Sequence, residues 1–182
     1  MLQKIHKLYC SYEKEEKWLN DMAAKGMMLK QYNVGTYFFE KNIPGKYIYR
    51  IELLENLPSH PESKSYIEFM EDTGVEYICS YMRWVYFRKK SSEGPFDLYS
   101  DLDSKIKHYN KVLKLFLIVF FINLMAMISN LVMGIQAMVN RNIYVNLGFA
   151  AISFIVASLI GRIILLYKKK VKKFKKEKQL VE

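Results

Sequence analysis

Apolar and polar positions change period several times along this chain. Over Glu13–Lys25 the apolar residues Trp18, Leu19, Met22 and Ala23 recur at helical spacing. Glu13, Glu15 and Glu16 stand at the helix start, and Gly26 supplies the stop. Lys4–Cys10 alternates imperfectly and predicts a first strand. Met27–Val34 and Tyr37–Lys41 are aromatic and β-favouring around a turn at Gly35. After the turn Asn42-Ile43-Pro44-Gly45, Lys46–Leu54 alternates again, with Tyr47, Tyr49 and Ile51 against Lys46, Ile48, Arg50 and Glu52. A helix is predicted around Glu62–Thr73, with Tyr66, Ile67, Phe69 and Met70 on one face and Gly74 at its end. Strands follow at Val75–Ser80 and Arg83–Lys89.

The same order therefore occurs twice at an offset of 48 positions. Trp18-Leu19 aligns with Tyr66-Ile67, Met22 with Met70, Gly26 with Gly74, and Tyr37–Lys41 with Val85–Lys89. Two strand-helix-strand-strand repeats, about 4–41 and 46–89, predict an α+β domain over residues 1–96: a duplicated antiparallel sheet with two helices on one face. Ser91-Ser92-Glu93-Gly94-Pro95 marks a break. A connecting helix is expected over 97–113, with Asp101, Asp103 and Ser104 as its candidate caps.

From 114 to 140 and from 144 to 167 the pattern is apolar almost throughout, with only Asn140-Arg141-Asn142-Ile143 between. Each stretch is roughly 25 residues, and a helix needs about 20 to cross a bilayer core. The expectation is an α-helical transmembrane hairpin followed by a basic tail over 168–182.

Charge sharpens this picture. The chain of 182 residues carries a net charge of +10, which in isolation suggests a nucleic-acid binder. Residues 1–110, however, hold 16 Lys/Arg and 16 Asp/Glu, and the whole excess lies beyond them. It flanks the apolar stretches at Lys111 and Lys114, then at Lys168, Lys169, Lys170, Lys172 and Lys173 and further lysines to Lys178. This positive-inside bias places both termini in the cytoplasm, in a two-pass cell-membrane protein. The lysines then read as a topology anchor that attracts anionic lipid headgroups, a nucleic-acid tail being the alternative. The opening residues Met1-Leu2-Gln3-Lys4 show no apolar core of a signal peptide.

Candidate chemistry is sparse. His6, His60 and His108 have no second ligand at metal spacing, and no phosphate loop or nucleophile motif occurs, so neither a metal nor another cofactor is expected. Cys10 and Cys79 read as ordinary buried thiols. Glu13, Glu15, Glu16 and Asp21 read as a solvated helix start that complements the dipole, not as acid–base machinery. The aromatic residues are more suggestive. Trp18, Tyr37, Tyr47, Tyr49, Trp84 and Tyr86 either line a cleft for a cationic or amphipathic small molecule or fill a core. In the hairpin, Ser153, Ala157 and Gly161 follow small-xxx-small spacing. Asn123 and Asn130 share a face, with Gln136 nearby. These residues pack the hairpin on itself, or dock a membrane partner or a second copy. Arg162 lies over a turn from the cytoplasmic end and can snorkel.

The segment Glu15-Glu16-Lys17-Trp18-Leu19-Asn20-Asp21-Met22-Ala23-Ala24-Lys25-Gly26 resembles the bacterial membrane-protein family known as domain of unknown function 2812. Gly35-Thr36-Tyr37-Phe38-Phe39, Tyr47-Ile48-Tyr49-Arg50, Tyr86-Phe87-Arg88-Lys89 and Ser100-Asp101-Leu102-Asp103-Ser104-Lys105 extend the resemblance over about residues 3–107. Members commonly carry Trp after each glycine, where this chain has Met27 and Val75. The resemblance implies a cytoplasmic domain on a membrane anchor, often encoded beside PadR-like transcription regulators, with no established activity. The doubled unit also resembles the gyrase-inhibitor-like ligand-binding fold, whose halves enclose a cleft, an analogy at the level of fold. Together these readings favour a non-enzymatic sensor or interaction module that binds a small molecule or a protein such as such a regulator, with no nucleic-acid partner. The alternative is an accessory subunit of a membrane transporter or export complex, recognised through the hairpin.

Overall fold

The computed structural model describes residues 2–99, 101–141 and 144–181. The chain divides into two compact units, up to residue 100 and from residue 101.

The first unit runs β1 (Gln3–His6), α1 (Tyr12–Ala24), β2 (Met27–Asn33), β3 (Thr36–Lys41), β4 (Tyr47–Leu53), α2 (Pro61–Asp72), β5 (Glu76–Tyr81) and β6 (Trp84–Lys90). It forms two three-stranded antiparallel ladders of identical order, β1-β3-β2 and β4-β6-β5. Each ladder has a bulge at the same relative place, between Leu29 and Gln31 in β2 and between Tyr77 and Cys79 in β5. The extra residues, Lys30 and Ile78, stand 48 positions apart. β2 and β5 lie side by side, yet no ladder joins them. A bulge twists its strand and puts its backbone groups out of step with a neighbour, so the expected sheet is built as two ladders.

β1 ends at His6, short of the predicted Cys10. Its partner β3 begins at Thr36, and the last backbone bond runs from Lys7 N–H to the Gly35 carbonyl at 2.8 Å. Beyond that the strand has nothing to pair with.

The α+β class is as the pattern indicated, but the two helices do not share one face as expected. α1 contributes Leu19 and Ala23 to a core with Leu29, Tyr37, Phe39, Tyr49, Ile51 and Tyr86. α2 contributes Met70 to a second core with Leu54, Val75, Val85, Phe87 and Phe96. Val85 and Phe87 alternate with Tyr86 along β6, so the two helices cover opposite faces of the second ladder. Residues 97–99, predicted to begin the connecting helix, instead continue the non-helical run from Gly94, with Phe96 buried in that second core.

α1 also closes the outer edge of β4. Glu16 accepts a hydrogen bond from the Ile51 N–H at 3.0 Å, and Asn20 bonds both backbone groups of Tyr49. An edge strand otherwise presents unpaired donors and acceptors, and here side chains of a helix satisfy them.

The second unit is an antiparallel pair, α3 (Leu102–Arg141) and α4 (Val145–Val181). Both are long and apolar enough to cross a membrane, judged by length and composition. The turn predicted at Asn140-Arg141-Asn142-Ile143 lies partly outside the described residues. Asp101 starts α3, its carboxylate accepting bonds from the Ser104 N–H at 2.7 Å and hydroxyl at 2.8 Å. This is the capping bond that satisfies an otherwise unpaired N–H of the first turn.

Each helix extends beyond its apolar stretch at the end away from the turn. α4 runs on through the lysine-rich tail, and α3 begins 12 residues before Lys114. The polar ends still pack together. Tyr109 meets Tyr167 and Phe174 at ring distances of 6.0 and 5.2 Å, and Lys178 pairs with Asp103 at 2.8 Å. Lys168, Lys169, Lys172 and Lys173 are exposed. Lys170 instead tucks its ammonium over the rings of Tyr109 and Tyr167.

Candidate functional site

The first turn of α1 places Glu15 on the same stripe as Leu19 and Met22, because residues three or four apart share a helix face. Its carboxylate is therefore turned inward, at 8% exposure, and not solvated as the helix-start reading supposed. Oε1 accepts two hydroxyl protons, from Tyr37 of β3 at 2.7 Å and from Tyr86 of β6 at 2.6 Å. One carboxylate oxygen thus ties one helix to both ladders. Burial raises the Glu15 pKa, with the two tyrosine bonds pulling the other way. Burial and the neighbouring carboxylate raise both tyrosines, so they stay protonated donors.

Rings surround this centre. Tyr32 packs on Tyr37 at 4.7 Å, on Tyr86 at 5.2 Å and on Tyr81 at 5.8 Å, and its hydroxyl accepts the Gly35 N–H. Trp18 meets Tyr37 edge-on at 4.8 Å and Phe39 at 5.6 Å. On its other side Trp18 contacts Tyr9, and the Lys7 ammonium lies 4.8 Å from the Trp18 ring and 5.0 Å from the Tyr9 ring. A line of aromatic contacts therefore runs from an exposed cation to a buried carboxylate.

The six residues predicted to line a cleft divide in two. Trp18, Tyr37 and Tyr86 belong to the Glu15 cluster. The other three share the first core with them but make different polar or ring contacts. Tyr49 is buried, and its hydroxyl accepts the Leu29 N–H at 3.0 Å. Tyr47 lies under the Arg88 guanidinium at 4.3 Å, which itself pairs with Glu76. Trp84 packs against Tyr12. A half-open concavity of about 530 Å³ lies at one end of the first ladder, lined by Leu2, Gln3, Met27, Phe39, Glu40 and Lys41. None of the six is among these lining residues.

Glu16 also departs from the solvated reading, being half-buried against Ile51 and Arg50, whereas Asp21 is exposed. A second inward carboxylate, Glu52 of β4, accepts the Tyr66 hydroxyl at 2.6 Å. Periodicity held the signal for Glu15, since position 15 continues the apolar stripe of 19 and 22. Its tyrosine partners lie 22 and 71 residues away, beyond any local pattern.

Of the two cysteines, Cys10 is exposed, contrary to expectation, because it lies past the end of β1. Cys79 is half-buried, and burial pushes its thiol up to about 12.

In the hairpin, the Asn123 amide donates to the Ser153 carbonyl at 2.9 Å, Ala157 is buried, and Gly161 faces Phe120. These candidates meet within the hairpin. Asn130 does not bridge, since its amide bonds the Ala126 carbonyl of its own helix at 2.8 Å. Sequence reasoning missed Gly134. A Cβ there would stand 2.7 Å from the Leu147 side chain and 2.9 Å from its backbone nitrogen.

The family described as "Protein of unknown function (DUF2812)" matches residues 11–121, from the start of α1 into α3. No curated protein sequence and no solved structure matches the chain.

Proposed function

Since the chain belongs to the DUF2812 family of proteins of unknown function, we propose its role from its geometry: a membrane-held, non-enzymatic recognition protein whose head domain binds a small organic cation. The observation that carries this reading is the buried Glu15 carboxylate, which accepts the Tyr37 and Tyr86 hydroxyls, with Trp18 and Tyr32 packed on those rings. Rings and one carboxylate suit an amphipathic cation, because the quadrupoles attract positive charge and the acid offsets it. The tyrosines beside Glu15 are held protonated, which makes them donors and poor bases.

The apolar halves of α3 and α4 support a two-pass anchor in the cell membrane. The exposed Lys168, Lys169, Lys172 and Lys173 support an orientation with both termini in the cytoplasm, beside anionic headgroups. In this role the head reports its ligand to a protein partner, such as a PadR-like transcription regulator. Protease added to intact cells should leave the head uncut; cleavage would reverse the topology.

The binding test is a thermal-shift assay of the full chain in a maltoside detergent, with tetraphenylphosphonium as the probe. Binding raises the melting temperature by mass action, and Glu15→Gln should abolish the rise. A rise that survives this substitution would take the site away from Glu15.

A second reading has its own support. Ala126, Ser129, Met133 and Gln136 form an exposed row at heptad spacing along α3, away from α4. Polar side chains at membrane depth usually face protein, which favours an accessory subunit docked through its hairpin. Replacing the hairpin with an unrelated two-pass anchor should leave a sensor working and disable an accessory subunit.

A further inference from the structure

The Lys7 side chain deepens the reading above, on which this inference rests. We propose that the shallow slot beside the touching Tyr9 and Trp18 rings, over both of which the chain's own Lys7 ammonium lies in the free protein, is a quaternary-ammonium site.

Four observations build the slot. The two rings stand 5.6 Å apart, and the Lys7 Nζ lies 5.0 Å from one centroid and 4.8 Å from the other, both within cation–π range. The occupant's backbone is fixed, because the Lys7 N–H closes the β1–β3 ladder on the Gly35 carbonyl. Trp18 then makes edge contact with Tyr37, whose hydroxyl bonds Glu15, so the slot is the outer end of the acidic cluster. The Tyr9 hydroxyl is buried without a hydrogen-bond partner among the described residues, an unmet polar group beside the slot.

The chemistry selects the ligand class. A primary ammonium is compact and strongly hydrated, with three donors that rings cannot satisfy. Lys7 therefore stays at the exposed rim. A quaternary ammonium has no N–H to leave unsatisfied, spreads its charge over methyl groups and loses less on leaving water. It should displace Lys7 and take both ring faces. A tethered cation of this kind competes with ligand at an effective concentration set by its short stem, so removing it should tighten binding.

The test follows Trp18 fluorescence of the full chain in maltoside, in a Trp84→Phe background that leaves Trp18 as the sole tryptophan. The probes are tetramethylammonium, choline and 3,3-dimethyl-1-butanol, the neutral isostere of choline. The two cations should change the signal saturably and the isostere should not. Lys7→Gln should tighten choline binding by about three- to five-fold, the scale of one exposed cation–π contact. Lys4→Gln removes the same charge from a cation over Phe38 and should leave affinity within about 1.5-fold. Trp18→Phe, followed by thermal shift, keeps a ring against Tyr37 and should weaken binding without unfolding the domain. A choline headgroup on a lipid offers the same chemistry. Saturation by free choline in maltoside would assign the soluble form, and a signal only with phosphocholine micelles the lipid form.

Equal response to the neutral isostere, or equal effects of Lys7→Gln and Lys4→Gln, would overturn the slot. If tetraphenylphosphonium still stabilised the chain through Glu15 while quaternary ammonium did nothing, the slot would fall and the Glu15 reading would stand. If neither acted, both would fall.

Discussion

Asn20 holds Tyr49 by both backbone groups at once: the Tyr49 N–H donates to Oδ1 at 2.8 Å, and Nδ2 donates to the Tyr49 carbonyl at 3.1 Å. The helix side chain thereby acts as a missing strand for the edge of β4. Asn20→Ala leaves a half-buried donor and acceptor unmet, at about 1–3 kcal/mol each when water cannot replace the partner. A loss of about 2 kcal/mol is expected in urea unfolding of the head. Asn20→Asp keeps the acceptor and should lose less. Equal stability of Asn20→Ala and the parent would show that water serves the edge as well.

Glu15 sets a pH dependence whose sign is fixed by its raised pKa. Below the ordinary value of 4.5 the group is protonated in folded and unfolded chains alike and contributes nothing. Between 4.5 and the folded value only the unfolded chain releases the proton, so stability falls as pH rises through that window. Glu15→Gln removes this fall and should match or exceed the parent near neutral pH. Melting temperatures of both from pH 4 to 8 check it, at about one-unit steps. A parent that gained on the variant with rising pH would have a carboxylate stabilised in its charged form.

Gly26 and Gly74 end the two short helices with φ of +77° and +85°, a left-handed conformation that costs other residues roughly 1–2 kcal/mol. Their surroundings differ. A Cβ on Gly26 would come within 2.6 Å of the Asn42 carbonyl oxygen, whereas on Gly74 the nearest atom is a Glu93 carboxylate oxygen at 3.5 Å. Gly74→Ala should cost only the backbone term, about 1 kcal/mol, and Gly26→Ala at least about twice that. Thermal unfolding of the two variants side by side decides the order.

Gly134 and Gly161 separate in the same way within the hairpin. Gly134→Ala meets Leu147 at 2.7 Å and must push α3 and α4 apart, while Gly161→Ala meets Phe120 at 3.9 Å, an ordinary contact. Disulfide trapping of an Asn123→Cys, Ser153→Cys pair reports the helix separation. Trapping should slow clearly with Gly134→Ala and hold steady with Gly161→Ala.

Most of the element order was legible, because periods of two and 3.6 are local properties of the sequence. The 48-residue offset even places Lys30 and Ile78 in register, the two residues that bulge. Other features depend on contacts no window spans. Glu15 looked solvated because its two tyrosines come from strands far along the chain, and Tyr49 offered itself as a cleft wall although its hydroxyl is taken by Leu29. Ser153, Ala157 and Gly161 lie where α4 meets α3, yet Gly134, a single glycine with no motif around it, comes much closer to the opposite helix than Gly161 does.

α3 and α4 each pass without a break from apolar to lysine-rich sequence. On the membrane reading, this makes the hairpin a lever. The polar arm from Leu102 to Lys114 rises about 20 Å. Each 10° of tilt imposed by a thicker or thinner bilayer would then sweep its far end by roughly 3 Å, with no hinge to absorb the motion.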